Sequence, residues 1–399
     1  MRLFKTTVIA ATLGLCATSQ AQGLKDAYAD YFSVGVSVNM SNLNTSINPK
    51  DMEIILENFN SITAENDFKP GSVQPREGEW DFRKADAIAD FCRRNGIKLR
   101  GHCLVWHNQV GRWMFEDKDA DGNTIPASKE LLYERMKTHI TTVMQRYSDI
   151  VYCWDVVNEA LSDRDAEYMR TRSSWAQIAG GDEFIRKAFE FAREADPDAL
   201  LFYNDYNAVF PGKRDKIYNM VKEMKEAGVP IDGIGMQGHL SIYEPSLEDI
   251  ETAIVKYSEI VDHIQITELD IRINKESGGS LDMNRDGEEL TPERQQMFND
   301  KYAGLFEVLR RHADVIDVVT FWNVSDRDTW LGTSNYPLLF DKDQNPKDAY
   351  YLVRDFQVTS KAQKRAEKKA VRASRKKAAN AAADAKAALA RDYYAGTSR

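Results

Sequence analysis

Short β-rich runs alternate along the chain with amphipathic stretches, and the alternation repeats eight times. The runs are residues 31–39 (YFSVGVSVN), 61–66 (SITAEN), 98–106 (KLRGHCLVW), 151–159 (VYCWDVVNE), 199–207 (ALLFYNDYN), 231–239 (IDGIGMQGH), 264–271 (IQITELDI) and 318–326 (VVTFWNVSD). Between them lie helical patterns such as DFRKADAIADFCRRNG and RDKIYNMVKEMKEAG, with Gly96 and Gly228 where helices should stop. Eight strands alternating with helices predict an α/β fold, a (β/α)8 TIM barrel, as one domain over residues 22–358. No repeat of fixed period is visible, which argues against a solenoid.

The polar residues fall at one place in each unit. Glu65-Asn66, Trp106-His107, Asn158-Glu159, Asp205, His239, Glu268 and Trp322 all stand at or near the C-terminal ends of predicted strands. The loops of a barrel converge on that rim, which carries its active site. Any one such residue could simply meet water. Trp, His, Asn and Glu recurring together, where Lys, Ser and Gly would serve solvation, point to a functional cleft.

Two of these residues form a chemical pair. Glu159 belongs to the fourth strand and Glu268 to the seventh, so they can face each other across the mouth. Facing carboxyls with aromatic walls are the equipment of glycoside hydrolysis: one donates a proton to the leaving oxygen, the other attacks the anomeric carbon or activates water. Proximity separates their ionisation, because close carboxylates resist ionising together. Once a covalent glycosyl-enzyme has formed, the acid can serve as base in the second step.

The segments WDVVNEAL (154–161) and ITELDI (266–271) resemble those of glycoside hydrolase family 10, the endo-β-1,4-xylanases, over roughly residues 25–357. The resemblance implies Glu159 as acid/base, with Asn158 beside it, and Glu268 as nucleophile of a retaining enzyme, the carboxyls about 5–5.5 Å apart. ENDFKP implies Glu65, Asn66 and Lys69 around the sugar two units back from the cleaved bond. GHCLVWHNQ implies His102, Trp106 and Gln109 around the sugar being cleaved. GMQGHL supplies Gln237 and His239, and FWNVSDRDTW supplies Trp322 and Trp330 as lids. Asn323 stands where many members have glycine, which bears on fine specificity.

The residue types suit these places on chemical grounds. Asn158 can donate to the sugar 2-hydroxyl. His239 can hold Glu268 ionised, with Asp270 behind it as a supporting group. Tryptophan offers a flat face to a pyranose. Trp113 and Trp175 read as packing residues. In an ideal strand adjacent side chains face opposite ways, so Asn158 and Glu159 serve one sugar only if the strand kinks at its end.

Composition narrows the partners. The 399 residues carry a net charge of −9, but residues 361–399 hold 12 Lys+Arg against 3 Asp+Glu, leaving −18 on the remainder. An acidic body argues against nucleic acid and suits a neutral substrate such as xylan or a xylo-oligosaccharide. The basic, Ala/Lys-rich tail at 359–399 reads as helical or disordered, with an acidic surface as its alternative partner. Residues 1–21 read as a cleavable signal peptide, with Ser19-Gln20-Ala21 as the cleavage site, so a secreted or periplasmic location is expected. A lipoprotein reading through Cys16 is the alternative, although Leu15 is bulky for a lipobox. No later run is long enough for a membrane span.

Cys92, Cys103 and Cys153 read as buried thiols. No CxxC or HExxH spacing supports a metal, and no cofactor is implied. Two strings resemble calcium loops. DKDADG (117–122) reads as an exposed turn. Asp282–Glu293 (DMNRDGEELTPE) matches the full EF-hand pattern, although Thr291-Pro292-Glu293 also reads as a helix start. Two rival functions stand beside the xylanase reading: the same chemistry on another β-1,4-glycan such as cellulose, and a non-catalytic glycan-binding barrel.

Overall fold

The computed structural model describes residues 23–274 and 289–356. The segment 1–21 expected to be a signal peptide, the tail at 359–399 and most of the Asp282–Glu293 string lie outside the described residues.

Eight parallel strands form the barrel: β1 (Ser33–Val38), β2 (Ser61–Ala64), β3 (Lys98–Trp106), β4 (Val151–Asn158), β5 (Leu200–Asp205), β6 (Gly233–Met236), β7 (His263–Arg272) and β8 (Ile316–Phe321). They pair in chain order, and β8 pairs with both β7 and β1, which closes the ring. A short extra strand, His239–Ser241, pairs with the outer end of β7. The connecting helices include α1 (Pro49–Asn58), α2 (Arg83–Asn95), α3 (Lys129–Arg146), α4 (Glu183–Ala195), α5 (Pro211–Glu226), α6 (Leu247–Tyr257) and α7 (Pro292–Arg311).

Local sequence explains these boundaries. Helix α2 turns Ala85, Ile88, Ala89 and Cys92 inward and stops at Gly96, whose φ of 63° is left-handed. Helix α7 starts at Thr291-Pro292, with the threonine side chain accepting from Arg294 N. The expected exposed turn at 117–122 is in part a hairpin: Glu116–Lys118 pairs antiparallel with Thr124–Pro126, and residues 119–122 make the turn, with Asp119 Oδ1 accepting from the amides of Asp121 and Asn123. Cys92, Cys103 and Cys153 are free and buried.

Several strands stop short of the predicted ends. Glu65-Asn66 lies past β2, Gln237 past β6, and Trp322-Asn323 past β8. Pairing also slips between His102 and Val105, between Asp155 and Val157, and between Ile266 and Leu269. Such slips bend a strand and re-aim its side chains; here they precede the rim residues of β3 and β4, and on β7 the slip spans Glu268 itself.

The barrel interior is closely filled. Trp154 is fully buried, and a Cβ on Gly101 would lie 2.1 Å from its ring, so only glycine fits there. The buried Arg100 is paired: it donates to Asp155 and to Gln265 Oε1, the latter at 2.7 Å. Among the described residues no helix is long and apolar enough to cross a membrane.

Candidate active site

Glu159 follows β4 directly and has φ 55°. This left-handed turn is the kink that two adjacent residues need in order to face one cleft. Its carboxylate accepts from Trp106 Nε1 at 3.0 Å and Gln237 Nε2 at 2.9 Å. Asn158 is oriented by Asn204 on β5. The Thr267 hydroxyl donates to Asn204 Oδ1 at 2.6 Å, so Asn204 Nδ2 donates to Asn158 Oδ1 at 2.9 Å and to Glu268 Oε1 at 2.8 Å. Turning the Asn158 amide over would let it accept from Trp106 Nε1 and donate to Asn204 O, each at 3.2 Å, but would set two amide nitrogens 2.9 Å apart, and Asn204 Nδ2 is fixed by the ionised Glu268. Asn158 therefore points its Nδ2 toward Glu159, 3.4 Å from Oε1.

Glu268 lies in β7, 5% exposed. Burial opposes its charge, but His102, His239 and Lys69 outweigh that and bring its pKa from 4.5 down to about 2. His239 moves the other way. Burial disfavours its cation, yet Asp270 and Glu268 raise its pKa from 6.5 to about 10. The cationic ring donates from Nδ1 to Asp270 Oδ2 at 3.0 Å and from Nε2 to Glu268 Oε2 at 3.3 Å. Trp330 Nε1 donates to the same Asp270 oxygen at 2.8 Å. His102 is held by Asp155 at 2.8 Å, its Nδ1 3.9 Å from Glu268 Oε1. At neutral pH the site thus holds an ionised, oriented carboxylate at Glu268.

The remaining predicted residues line the same rim. Asn66 Oδ1 accepts from Lys69 Nζ at 3.0 Å and Gln109 Nε2 at 3.1 Å. Lys69 Nζ stands 4.8 Å from the Trp106 ring centroid. Burial pushes Glu65 above its ordinary range, against a hydrogen bond from Asn39, the charge of Lys69 and Asn323. Asn323 has φ 95°, a backbone suited to glycine. Trp322 differs from the expectation of a lid. It is 5% exposed and meets His102 and His239 edge-on, at centroid distances of 5.5 and 6.4 Å, so it walls the cleft. Trp175 packs in the interior, its Nε1 donating to Trp106 O at 2.9 Å.

Sequence reasoning missed Asn204, which bridges Asn158 and Glu268, and Asn39, which holds Glu65. Asn204 left a signal: it is an amide inside an otherwise apolar strand, LLFYND. Among the described residues no group of His, Cys, Asp or Glu could hold a metal ion.

A closed parallel barrel with paired glutamates at one rim, one kept ionised beside two histidines and the other bonded by a tryptophan, defines a glycoside hydrolase of the two-carboxylate kind. The chain belongs to glycosyl hydrolase family 10, whose sequence model matches residues 23–356. It is 53% identical over 356 residues to an endo-1,4-β-xylanase/feruloyl esterase of Xylanibacter ruminicola, covering 86% of this chain but 48% of that protein. It is 42% identical to endo-1,4-β-xylanase B of Paenibacillus barcinonensis, covering 84% of this chain and 98% of that one. A solved psychrophilic family 10 endo-β-1,4-xylanase matches with a TM-score of 0.77 at 55% identity, over 84% of this chain and 100% of the other.

Proposed function

We propose that the chain is an endo-1,4-β-xylanase that cleaves xylan with retention of configuration. The observation that carries this is the ionised Glu268, clamped by His239 and Asn204 in a cleft it shares with Glu159. The sequence relatives named as xylanases, and a solved relative of 39% identity in complex with xylotriose, support the substrate.

In this reading Glu268 attacks the anomeric carbon while Glu159 gives a proton to the leaving oxygen. Glu159 then takes a proton from the water that opens the glycosyl ester. Asn158 donates to the 2-hydroxyl. Glu65, Asn66 and Lys69 hold the sugar two units back, and His102, Trp106, Gln109 and Trp322 surround the one being cleaved. Trp330 flanks the cleft through Asp270. The chemistry needs no cofactor.

Wild type and Glu268→Ala assayed on xylan and carboxymethyl-cellulose test the proposal. Wild type should cleave xylan and the variant should not; absence of xylan cleavage by wild type refutes it. NMR of the first-formed anomer should show the β product, and an α product would contradict the nucleophile. Residues 1–21 we read as an export signal, so the mature protein should begin at Gln22. Calorimetric titration with Ca²⁺ tests the Asp282–Glu293 string, and no heat removes that reading. The tail is tested by truncation after Thr359: unchanged binding to an acidic surface at low salt argues against docking.

A further inference from the structure

The segment Glu159–Ala160–Leu161 leaves β4 through a left-handed turn, yet all six of its backbone polar groups are engaged. Glu159 N donates to Asn204 O at 2.9 Å, and Glu159 O accepts from Arg170 Nε at 2.9 Å. Ala160 O accepts from Arg170 N at 2.9 Å, and Leu161 O from Lys213 Nζ at 2.8 Å. The two remaining groups, the amides of Ala160 and Leu161, converge on one atom. That atom is the phenolic oxygen of Tyr203, 3.1 Å from each.

The same phenol donates its hydrogen to Asp205 Oδ2 at 2.6 Å. Its one donor and both acceptor sites are then filled. Lys213 Nζ lies 3.1 Å from Asp205 Oδ1 and 3.0 Å from Asp163 Oδ1. Tyr203 and Asp205 are wholly buried and Lys213 nearly so, so they act through the backbone of the Glu159 segment.

We infer that Tyr203, oriented by Asp205 and Lys213, is the positioning residue that fixes Glu159 on its turn and aims its carboxyl at the leaving oxygen. A non-glycine residue in this backbone region is strained and persists only where its surroundings hold it. Phenylalanine at 203 would leave two buried amides without an acceptor and Asp205 without its donor. The turn would relax toward an extended strand and carry the carboxyl off line. The inference rests on the reading of Glu159 as acid/base.

The test separates proton delivery from binding. Tyr203→Phe and Glu159→Ala are compared with wild type on xylan, whose leaving sugar needs a proton, and on 2,4-dinitrophenyl β-xylobioside, whose phenolate leaves without one. Tyr203→Phe should lose about 10- to 100-fold in kcat/KM on xylan and less than about threefold on the aryl glycoside. Equal losses on both substrates, or none on xylan, overturn the inference. If Tyr203→Phe does not fold, Asp205→Asn is judged by the same split. A split in Glu159→Ala without one in Tyr203→Phe sinks the inference alone. No split in Glu159→Ala sinks the acid/base reading and the inference with it.

Discussion

His239→Asn removes the cation that stands between Glu268 and Asp270. In the intact protein that ring gives Glu268 both a hydrogen bond and a nearby positive charge, and the carboxyl titrates near 2 against an ordinary 4.5. That displacement corresponds to about 3 kcal/mol in favour of the ionised form. A hydrogen bond to a charged group contributes about 1.5–3 kcal/mol, which is about 1–2 pH units. The substitution leaves burial and the Asp270 charge, which both favour protonated Glu268, against His102 and Lys69 alone. The acidic limb of kcat/KM should therefore move up by about 1–2 units. The assay is kcat/KM against pH on 2,4-dinitrophenyl β-xylobioside, because its departure needs no acid and the limb then reports the nucleophile. A limb that stays within about 0.3 unit of wild type, in a folded variant, refutes His239 as the group that keeps Glu268 ionised.

Other expectations follow from the same geometry. A Cβ on Gly235 would lie 2.4 Å from Asn204 Oδ1, so Gly235→Ala should cost about 1–3 kcal/mol and also lower kcat/KM by displacing the amide that holds Glu268; an unchanged melting temperature would contradict this. His239, raised from 6.5 to about 10, contributes stability that is fully present below pH 6.5 and lost as pH rises through 10. Urea unfolding should accordingly show a loss between pH 7 and pH 10.5 that His239→Asn largely abolishes. Burial pushes the Cys92 and Cys153 thiols up to about 12. Thiol reagents at pH 8 should leave both unlabelled until the chain unfolds, and rapid native labelling would argue against the packing.

The strands were legible because β-rich runs between helical patterns have few other readings, and β3 spans the predicted residues 98–106. Their ends were less legible. Gln237 and Trp322 look like strand continuations in one dimension, but barrel pairing stops before them. The kink at Glu159 was demanded by two neighbouring polar residues that had to share one cleft, and its φ of 55° meets that demand. The service of Asn204 was hidden because a single amide in a strand gives no sign of which neighbours it will bridge. Burial misled for Trp322: sequence marks an aromatic at a rim and does not say whether it faces solvent or the histidines below.

Asn204 also decides how the barrel can be divided. Strands β1–β4 carry Glu159, while β5–β8 carry Glu268, so a cut between α4 and β5 would give two four-stranded halves with one carboxyl each. The groups that orient Glu159 from outside its own half are Asn204, Tyr203, Lys213 and Gln237, and Asn204 bonds both the Glu159 backbone amide and the Glu268 carboxyl. Neither half contains an aligned site. Two fragments made this way would regain activity together, in proportion to their reassociation along the β4–β5 and β8–β1 edges. Half-barrel shuffling within this fold would therefore exchange catalytic residues apart from their supports, because the working unit is the seam between the halves.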